Sequence, residues 1–295
     1  MVGVTVLLWW RTAKRTLAGG GQLGRMLASA ASLLNIPIVI LDVGQDCPAK
    51  QVIQPFSRGL EHVDGSFADP IKIKELAEKV DVLTVEIEHV DAFALEQIAA
   101  QSREKKLEIH PSPKTIGTIQ DKFKQKEHLS QNGCPVSEYL PIDPTLPVTS
   151  IENAALKLGL PLMLKSRTLA YDGRGNYAIH AVDQISAAHL ALGEGKKALY
   201  AEKWVHFKKE IAVMVVKGAD GGVRSYPAVE TVHKDHICHL VFAPLRGGDA
   251  ALGRRAREIA EAAVGTFEGA GVFGVEMFLV EDGKQPDFRV YPCLT

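Results

Sequence analysis

The sequence predicts an α/β protein of two domains, in which a mostly parallel sheet is followed by a domain of the α+β class. The chain has 295 residues, which is enough for two domains of ordinary size. Residues 19–42 read as a glycine-rich loop, an apolar-periodic helix and a buried strand, which is the pattern of a βαβ unit. Residues 209–216 and 223–233 alternate in the way that antiparallel strands do. The first pattern predicts the class of the N-terminal half, and the second that of the C-terminal half.

The N-terminal domain is predicted over residues 19–110, as a Rossmann-like parallel sheet with helices. Asp69 and Pro70 predict the start of a helix, because Asp caps helices and Pro suits the first helical position. The predicted elements after the βαβ unit are a helix over 69–80, a buried strand over 81–86 and a helix over 91–104. Residues 1–18 are expected to be an atypical segment, because no convincing strand precedes the glycines.

The C-terminal domain is predicted over residues 111–295, with its boundary marked by Pro111-Ser112-Pro113. Its elements are expected to be a helix over 115–132, a linker with three prolines over 140–149, and then helix, strand, glycine-rich loop, strand, helix and strand over 151–201. Beyond the antiparallel strands, the sequence predicts a helix over 250–269, a strand over 273–280 and a hairpin turn over 281–284.

The bulk composition argues against several classes of protein. The formal net charge of -1 gives no electrostatic basis for binding nucleic acid or an anionic membrane. No apolar run approaches the roughly 20 residues that a membrane-spanning helix needs. The 4 cysteines are widely spaced and form no CxxC motif, so neither a zinc ribbon nor a disulfide framework is indicated. We therefore expect a cytoplasmic protein without nucleic-acid or membrane partners.

The N-terminus is unusual, because its apolar residues precede Arg11, Lys14 and Arg15, whereas a secretory signal peptide has its basic residues first. No acidic residue occurs before Asp42, so a mitochondrial presequence is an alternative. Against this alternative, the segment is not clearly amphipathic and runs directly into the glycine-rich loop.

The strongest functional pattern lies over residues 164–176. An apolar run ends in Lys165, and the segment Tyr171-Asp172-Gly173-Arg174-Gly175 follows. The lysine offers a point charge to phosphate oxygens, and the glycines let backbone amides approach an anion. The pattern predicts a polyphosphate site, but not a P-loop, because no GxxxxGK[ST] occurs. A surface hairpin turn without a ligand is the alternative.

The glycines at the start of the first domain fit a second phosphate-binding motif. Gly19, Gly21 and Gly24 match GxGxxG, and Asp42 follows about 20 residues later, as in dinucleotide folds. This spacing favours a nicotinamide or flavin enzyme, although the start of a helix binds any phosphate and not only a pyrophosphate. A tight turn without a ligand is again an alternative.

Acidic residues end or interrupt several predicted strands. Glu86 and Glu88 stand where open α/β sheets gather ligands, and they are expected to hydrogen-bond ribose hydroxyls or to order a Lys or Arg. The alternative is a helix-capping acid followed by solvated charges. Residues 202–205 and Glu210 are predicted to offer backbone groups to an adenine edge and a carboxylate to ribose. The alternative is a plain strand edge. Glu276 lies within an apolar strand and needs a partner there, which is either Mg²⁺ on nucleotide phosphates or a basic side chain.

Three closely spaced histidines raise the question of a zinc site. His233, His236 and His239 would share one face of a helix, but their neighbours favour a strand or turn, in which His236 points away from the other two. We therefore expect no structural metal at these residues, and expect His233 to contact substrate or phosphate.

Six motifs occur in a fixed order along the chain: GGGQLGRML, EIEHV, IQDKFKQKEHL, YDGRGN, PAVETVHKD and GVFGVEMF. Together, over residues 19–283, they resemble the ATP-grasp superfamily and, more narrowly, the carboxyaminoimidazole ribonucleotide synthases of purine biosynthesis. In fungi such a chain forms the N-terminal part of a bifunctional phosphoribosylaminoimidazole carboxylase, and this sequence resembles that form. The resemblance implies a pre-ATP-grasp domain followed by an ATP-grasp domain, with ATP and Mg²⁺ as cofactors.

The same resemblance implies the roles of individual residues. ATP would be bound by Lys122, Lys165, Ala170, Gly173, Gly175, Asn176, Glu202, Lys203, Trp204, Val205, Glu210 and His233. Tyr171, Asp172 and Arg174 would be catalytic residues that close over the reactive phosphate, and Glu276 would hold Mg²⁺. Gly21, Gln22, Leu23 and Glu86 would bind aminoimidazole ribonucleotide, which is carboxylated by ATP and bicarbonate through carboxyphosphate without a protein nucleophile.

Both ends of the chain depart from the family pattern. The family continues its last strand with an Asn-Glu pair that completes the metal site and a basic segment for the substrate, whereas this chain reads Phe288-Arg289-Val290-Tyr291-Pro292 and ends at Thr295. We therefore expect an incomplete ATP-grasp domain, without the C-terminal domain or a fused carboxylase domain. A single carboxylate suits Mg²⁺ poorly, so weak activity or none is expected. At the other end, residues 1–15 replace the family's first strand.

Two rival functions stay open at this point. One is an NAD(P)-dependent oxidoreductase that uses the GxGxxG loop and Asp42. The other is a catalytically dead ATP-binding fragment that serves only as an interaction surface. Family dimers also imply a homodimer.

Overall fold

The computed structural model of the chain describes residues 15–53, 61–87, 89–101, 107–168, 175–193, 197–234, 237–247, 250–281 and 286–294. The described residues divide into two compact units. The first unit comprises the described residues within Met1–Gly117 together with Glu268–Gly271, and the second comprises those within Thr118–Phe267 and Val272–Leu294.

The first unit contains a five-stranded sheet in which every neighbouring pair of strands is parallel. Its strands are β1 (Arg15–Ala18), β2 (Ile38–Asp42), β3 (Val63–Asp64), β4 (Val82–Val85) and β5 (Glu108–His110). The helices of this part of the chain are α1 (Gln22–Leu33), α2 (Pro70–Lys79), α3 (Ala92–Gln101) and α4 (Pro113–Gln120). The sheet order is β3-β2-β1-β4-β5, so the predicted parallel α/β class is confirmed.

The expectation that no strand precedes the glycines is wrong. Strand β1 lies at the centre of the sheet, where it pairs with β2 on one side and β4 on the other. Its four residues suffice because both edges of the strand form hydrogen bonds with neighbours, which an isolated four-residue segment does not have. The glycine-rich loop therefore directly follows a strand and precedes α1.

Local signals placed the second helix correctly. Asp69 caps α2 by accepting a hydrogen bond from the Ile71 amide at 2.9 Å, and Pro70 is the first helical residue. Ile73 and Leu76 follow at helical spacing and are completely buried in the core of the first unit. The cap and the apolar stripe thus specify the same helix.

The second unit contains two sheets. The four-stranded sheet is antiparallel, in the order β6-β9-β7-β8, with β6 (Tyr139–Pro141), β7 (Leu162–Ser166), β8 (Asn176–Ile179) and β9 (Leu199–Lys203). The strands of the other sheet are β10 (Lys209–Lys217), β11 (Val223–Ser225), β12 (Val229–Lys234), β13 (Ile237–Phe242), β14 (Gly271–Glu281) and β15 (Pro286–Leu294). That sheet runs β13-β12-β10-β14-β15, with β11 beside β10. The helices are α5 (Lys122–Gln131), α6 (Pro147–Leu158), α7 (Ile185–Ala191) and α8 (Ala250–Gly265).

The helix predicted over residues 115–132 is two helices, because Asp121 interrupts it. The Asp121 carboxylate accepts hydrogen bonds from the amides of Phe123 and Lys124, both at 3.1 Å, and so starts α5. It also pairs with the Arg167 guanidinium through contacts of 2.6 to 3.1 Å. A capping carboxylate in the middle of a helical stretch competes with the helix and starts a new one.

The linker predicted over residues 140–149 is also wrong, because it contains the end of β6 and the start of α6. Pro141 ends β6, which is an edge strand, and Pro147 begins α6. Proline is tolerated at both places, since neither an exposed strand edge nor the first helical position needs its missing amide. Three prolines in ten residues therefore did not indicate irregular structure.

The last elements are shorter or longer than expected. Helix α8 ends at Gly265 rather than near residue 269, and β14 extends from Gly271 to Glu281. Strands β14 and β15 pair antiparallel, while residues 282–284 of the predicted hairpin turn lie outside the described residues. Among the helices of the described residues, none combines the length and apolar character that crossing a bilayer requires.

Candidate active site

A buried charge cluster lies in the second unit, where β7, β9 and α5 meet. Glu202 on β9 contacts the Lys126 ammonium of α5 at 2.8 Å through one carboxylate oxygen. Its other oxygen contacts the Lys165 ammonium at the end of β7 at 2.9 Å. Two ammonium groups share one carboxylate, so the cluster keeps a net positive charge.

The cluster keeps Glu202 ionised. Burial on its own would raise the pKa of Glu202, but Lys165 and Lys126 together lower it to about 2, from an ordinary value of 4.5. Burial lowers the pKa of Lys126, and the Glu202 carboxylate opposes that shift. The predicted nucleotide residues Lys165 and Glu202 are thus adjacent, and their charges are coupled.

Lys126 was missed by sequence reasoning. It is only 2% exposed and lies between Phe123 and Leu129 on the buried face of α5. A lysine at the apolar spacing of a helix is the signal that would have found it, because an amine buried there needs a carboxylate partner.

An apolar pocket adjoins this cluster and is lined by Met163, Lys165, Glu202, Lys203, Trp204, Val205, Phe207 and Phe278. The predicted residues Lys203, Trp204 and Val205 are among these lining residues. Phe207 and Phe278 were not predicted, and they stack with ring centroids 4.3 Å apart. Flat apolar walls beside a positive charge suit a planar ring that carries a polyanion.

Phe278 had a signal in the sequence, because it lies two residues beyond Glu276 and therefore on the same face of β14. The opposite face of β14 is buried, with Phe273, Val275 and Met277 in the core of the second unit. Strand alternation thus reserves one face for packing and the other for the site.

A row of polar side chains crosses four adjacent strands of the larger sheet. His233, Glu210, Glu276 and Tyr291 belong to β12, β10, β14 and β15 respectively. His233 Nδ1 contacts the Glu210 carboxylate. Glu276 and Tyr291 are opposite each other in the β14–β15 register. The sheet therefore brings together the predicted residues Glu210, His233 and Glu276, and adds Tyr291, which sequence reasoning treated only as a departure from the family.

Burial raises the pKa of Glu276, with His233 opposing this shift and Glu210 adding to it. Burial likewise raises the pKa of Glu210, which His233 opposes. Glu276 is therefore not a lone carboxylate, contrary to expectation. Two neighbouring, partly buried carboxylates fit Mg²⁺, which is bound in proteins by one or two carboxylates together with phosphate oxygens and water.

Lys122 is the first residue of α5, and its amide donates a hydrogen bond to the Arg167 carbonyl at 2.8 Å. Its ammonium lies near enough to Glu276 to lower the pKa of that carboxyl group, although burial outweighs this effect. The predicted phosphate-binding lysine is thus close to the predicted metal ligand.

The glycine-rich loop predicted to hold phosphate is described only at its end. Ala170, Tyr171, Asp172, Gly173 and Arg174 lie outside the described residues. Gly175 has a φ of +84°, which favours glycine, and its carbonyl accepts a hydrogen bond from the Ser166 amide at 2.7 Å. Asn176 is opposite Lys165 in the β7–β8 register. The loop therefore ends beside Lys165.

In the first unit, the predicted substrate residues surround the start of α1. Gly21 is the N-cap of α1 without a side-chain cap, and Gln22 and Leu23 are its first residues, so the helix presents amides of the kind that bind phosphate. The Glu86 amide donates a hydrogen bond to the Ala18 carbonyl at 3.0 Å, which places Glu86 at the end of β4. Glu88 lies outside the described residues.

Asp42 argues against the oxidoreductase alternative. Its carboxylate accepts hydrogen bonds from the Gly20 amide at 2.6 Å and from the Val43 amide at 2.7 Å. In a dinucleotide fold this acid binds a ribose hydroxyl and the glycine amides face a pyrophosphate. In this chain the Asp42 carboxylate instead accepts a hydrogen bond from the Gly20 amide of the glycine-rich loop.

The zinc alternative at the three histidines has no support in the described residues. His233 pairs with Glu210, His239 lies on β13, and His236 is outside the described ranges. No group of three or more His, Cys, Asp or Glu residues in the described part of the chain is arranged to hold a metal ion.

Comparison with known proteins identifies the family. Residues 127–285 match the ATP-grasp domain, and residues 14–120 match the ribonucleotide synthetase preATP-grasp domain. The chain is 30% identical over 267 residues to the N5-carboxyaminoimidazole ribonucleotide synthase of Brucella melitensis, which covers 90% of this chain and 70% of the relative. The chain belongs to the carboxyaminoimidazole ribonucleotide synthase family of ATP-grasp proteins.

Similar solved structures include carboxyaminoimidazole ribonucleotide synthase from Aspergillus clavatus. Its complex with ATP has a TM-score of 0.86 and 46% identity, and the match covers 97% of this chain and 70% of that chain. A second structure, complexed with ADP and 5-aminoimidazole ribonucleotide, has a TM-score of 0.86 and 44% identity over the same shares. Phosphoribosylaminoimidazole carboxylase of Ogataea methanolica is 50% identical over 267 residues, which is 90% of this chain and 47% of that relative. The chain thus spans less than half the length of this relative.

Proposed function

We propose that the chain carboxylates 5-aminoimidazole ribonucleotide with ATP and bicarbonate, a step of de novo purine biosynthesis. The observation that carries this proposal is the arrangement within the second unit, which contains the aromatic pocket, the two lysines that share the Glu202 carboxylate, and the row of polar side chains across the larger sheet. Membership of the family, whose Aspergillus clavatus structures hold ATP, or ADP with 5-aminoimidazole ribonucleotide, supports it.

ATP is proposed to bind with its adenine between Trp204 and the Phe207–Phe278 stack. Residues 202–205 would offer backbone groups to the adenine edge. The net positive charge of the Glu202 cluster, together with Lys122, would face the phosphates. Such positioning and charge neutralisation are the main contributions that a protein makes to phosphoryl transfer.

Mg²⁺ is proposed to be held by Glu276, with Glu210 beside it. When bound, the ion would neutralise phosphate charge. His233 would hold the Glu210 carboxylate in place, because the two side chains are already paired.

The ribonucleotide is proposed to bind the first unit, with its phosphate at the amides of Gly21, Gln22 and Leu23 and its ribose or ring near Glu86. Tyr171, Asp172 and Arg174 are proposed to close over the reactive phosphate and exclude water. Bicarbonate would accept the γ-phosphoryl group to give carboxyphosphate and ADP. The aminoimidazole nitrogen would then take the carboxyl group, with release of phosphate.

The test is ADP release by the purified chain with Mg-ATP, bicarbonate and aminoimidazole ribonucleotide, with each omitted in turn. We expect turnover that requires all of them, in place of the weak activity or none predicted from a single carboxylate, because Glu210 lies beside Glu276. Glu276→Gln should lose about a hundredfold or more of this activity. Glu258→Gln is the matched control, because that side chain is on the exposed face of α8, where it pairs with Arg255. ATP binding without ribonucleotide-dependent turnover would contradict the proposed activity.

A further inference from the structure

Lys50 is a buried lysine of the first unit to which the proposed reaction gives no role. Its side chain is 1% exposed, and its ammonium donates hydrogen bonds to the carbonyls of Asp42 at 2.7 Å and Gly44 at 2.9 Å. The Asp64 carboxylate lies 3.6 Å from the same ammonium and accepts a hydrogen bond from the Gly44 amide at 2.7 Å. Because a buried ammonium is costly unless it is hydrogen-bonded, these contacts hold the two ends of the 42–50 segment together.

The 42–50 segment holds Gly20 through both of its backbone polar groups. The Gly20 amide donates a hydrogen bond to the Asp42 carboxylate at 2.6 Å, and the Gly20 carbonyl accepts one from the Ala49 amide at 2.9 Å. The packing is also close, since a Cβ added to Gly20 would lie 2.7 Å from the Cys47 Sγ atom. Lys50 thus stabilises the backbone on both sides of Gly20, because it binds the Asp42 carbonyl and directly follows Ala49.

The planarity of the peptide bond extends this restraint to Gly21. The Gly20 carbonyl and the Gly21 amide belong to one trans peptide unit, in which the C=O and N–H bonds point in opposite directions. Because the carbonyl points to the Ala49 amide, the Gly21 N–H bond points away from the 42–50 segment. Gly21 is the N-cap of α1, and its amide is among those proposed to bind the ribonucleotide phosphate.

We infer that Lys50 is a positioning residue for the ribonucleotide phosphate, because it holds the 42–50 segment against Gly20 and so orients the Gly21 amide. This inference rests on the proposed function, which places that phosphate at Gly21, Gln22 and Leu23. Lys50 acts through the backbone, since its ammonium donates to the carbonyls of Asp42 and Gly44.

The test compares the binding of aminoimidazole ribonucleotide with that of its riboside, which lacks the phosphate, by isothermal titration calorimetry. We expect Lys50→Met to bind the ribonucleotide about tenfold more weakly, because a hydrogen bond to a charged phosphate is misaligned, and to bind the riboside as the unmodified chain does. Lys74→Met is the matched control, since Lys74 is exposed on α2, and it should change neither affinity. A general disturbance of the fold would weaken both ligands. Equal losses for the two ligands, or no loss, therefore overturn the inference.

Gly21→Pro distinguishes a failure of the inference from a failure of the proposed site. Proline removes the Gly21 amide hydrogen and fits this position, because the φ of Gly21 is -71° and no atom lies within 4 Å of an added Cβ. We expect about a tenfold loss of ribonucleotide affinity. Normal binding would show that Gly21 does not bind the phosphate, and the proposed site and the inference would fall together. A loss in Gly21→Pro without a loss in Lys50→Met overturns the inference alone.

A measurement on the unmodified chain tests the inference if Lys50→Met folds poorly. Coupling between two sites is reciprocal, so a segment that supports phosphate binding is itself stabilised when the phosphate binds. Saturating ribonucleotide should therefore slow hydrogen exchange of the Ala49 amide by about threefold or more, as followed by nuclear magnetic resonance. An unchanged exchange rate overturns the inference.

Discussion

Glu202 is the residue at which the charges of the nucleotide site converge. It is 3% exposed, and its two oxygens contact different lysines, Lys126 and Lys165. A buried carboxylate with one partner would form a neutral pair, but two partners leave positive charge for phosphate. The second lysine thus contributes to two properties of the domain. It helps to compensate the buried Glu202 carboxylate, which stabilises the fold, and it leaves a positive charge that favours binding of a polyanion.

Lys126→Met tests the contribution of this cluster to stability. We expect the free energy of unfolding to fall by about 3 kcal/mol, because removing one partner leaves Glu202 incompletely compensated in a buried site. Urea denaturation measures the change. Lys203→Met is the control, since the Lys203–Glu138 pair is on the surface and should contribute less than about 1 kcal/mol. Equal losses in the two variants would contradict this account.

The low pKa of Glu202 predicts a particular dependence of stability on pH. Its folded pKa of about 2 lies below the ordinary value of 4.5, so its stabilisation is fully present above about pH 4.5 and is lost as the pH falls towards 2. A shift of this size corresponds to about 3 kcal/mol.

Between about pH 5 and pH 3, protonation of Glu202 should reduce the stability of the unmodified chain. We therefore expect its urea midpoint to fall more steeply over this interval than the urea midpoint of Glu202→Gln. Urea titrations of both chains across this interval measure the difference. Parallel pH profiles would show that Glu202 does not have a lowered pKa in the folded chain.

At the scale of elements, the connection from β1 to α1 depends on Gly19. Its φ is +114°, a backbone conformation that other residues rarely adopt, and an added Cβ would collide with the Glu86 carboxylate. Gly21 differs, because its φ is -71° and no atom lies within 4 Å of the position of an added Cβ. Neighbouring glycines in one motif therefore have different roles.

Gly19→Ala should lower the free energy of unfolding by about 2 kcal/mol through backbone strain and collision. Gly21→Ala should cost less than about 1 kcal/mol, since alanine is merely a poorer N-cap than glycine. Thermal unfolding followed by circular dichroism compares the two. A Gly21→Ala variant as unstable as Gly19→Ala would contradict the assigned roles.

The start of α5 is the second element-scale feature with a clear test, because Asp121 both caps this helix and pairs with Arg167. Asp121→Ala removes both interactions and should cost about 2 kcal/mol, whereas Asp121→Asn keeps a capping oxygen and should cost less than about 1 kcal/mol. Chemical denaturation separates the two variants, and equal costs would mean that the cap contributes nothing. Because Lys122 follows directly, Asp121→Ala should also weaken nucleotide binding.

At the scale of the whole molecule, nucleotide binding should stabilise the chain. A non-hydrolysable ATP analogue at a hundredfold excess over its dissociation constant should add about 2.7 kcal/mol and raise the melting temperature. It should also change the fluorescence of Trp204, which lines the pocket. Lys165→Ala should weaken both effects, while Lys157→Ala on α6 should not. A melting temperature that does not respond to the analogue would contradict the nucleotide site. The expected homodimer stays a prediction, which light scattering tests.

The sequence by itself determined the features that depend on near neighbours in the chain. Asp69 and Pro70 specify the start of α2, and the alternation of β14 places Glu276 on the face opposite the packed core. Each of the six motifs that identified the family likewise spans only a few residues. Only the tertiary structure paired Lys126 with Glu202, which are 76 residues apart, and brought His233 to Glu210. It also made a central strand of the four residues of β1, because two neighbouring strands supply their hydrogen bonds. Partners chosen across such separations depend on how the strands assemble, which local periodicity and capping do not encode.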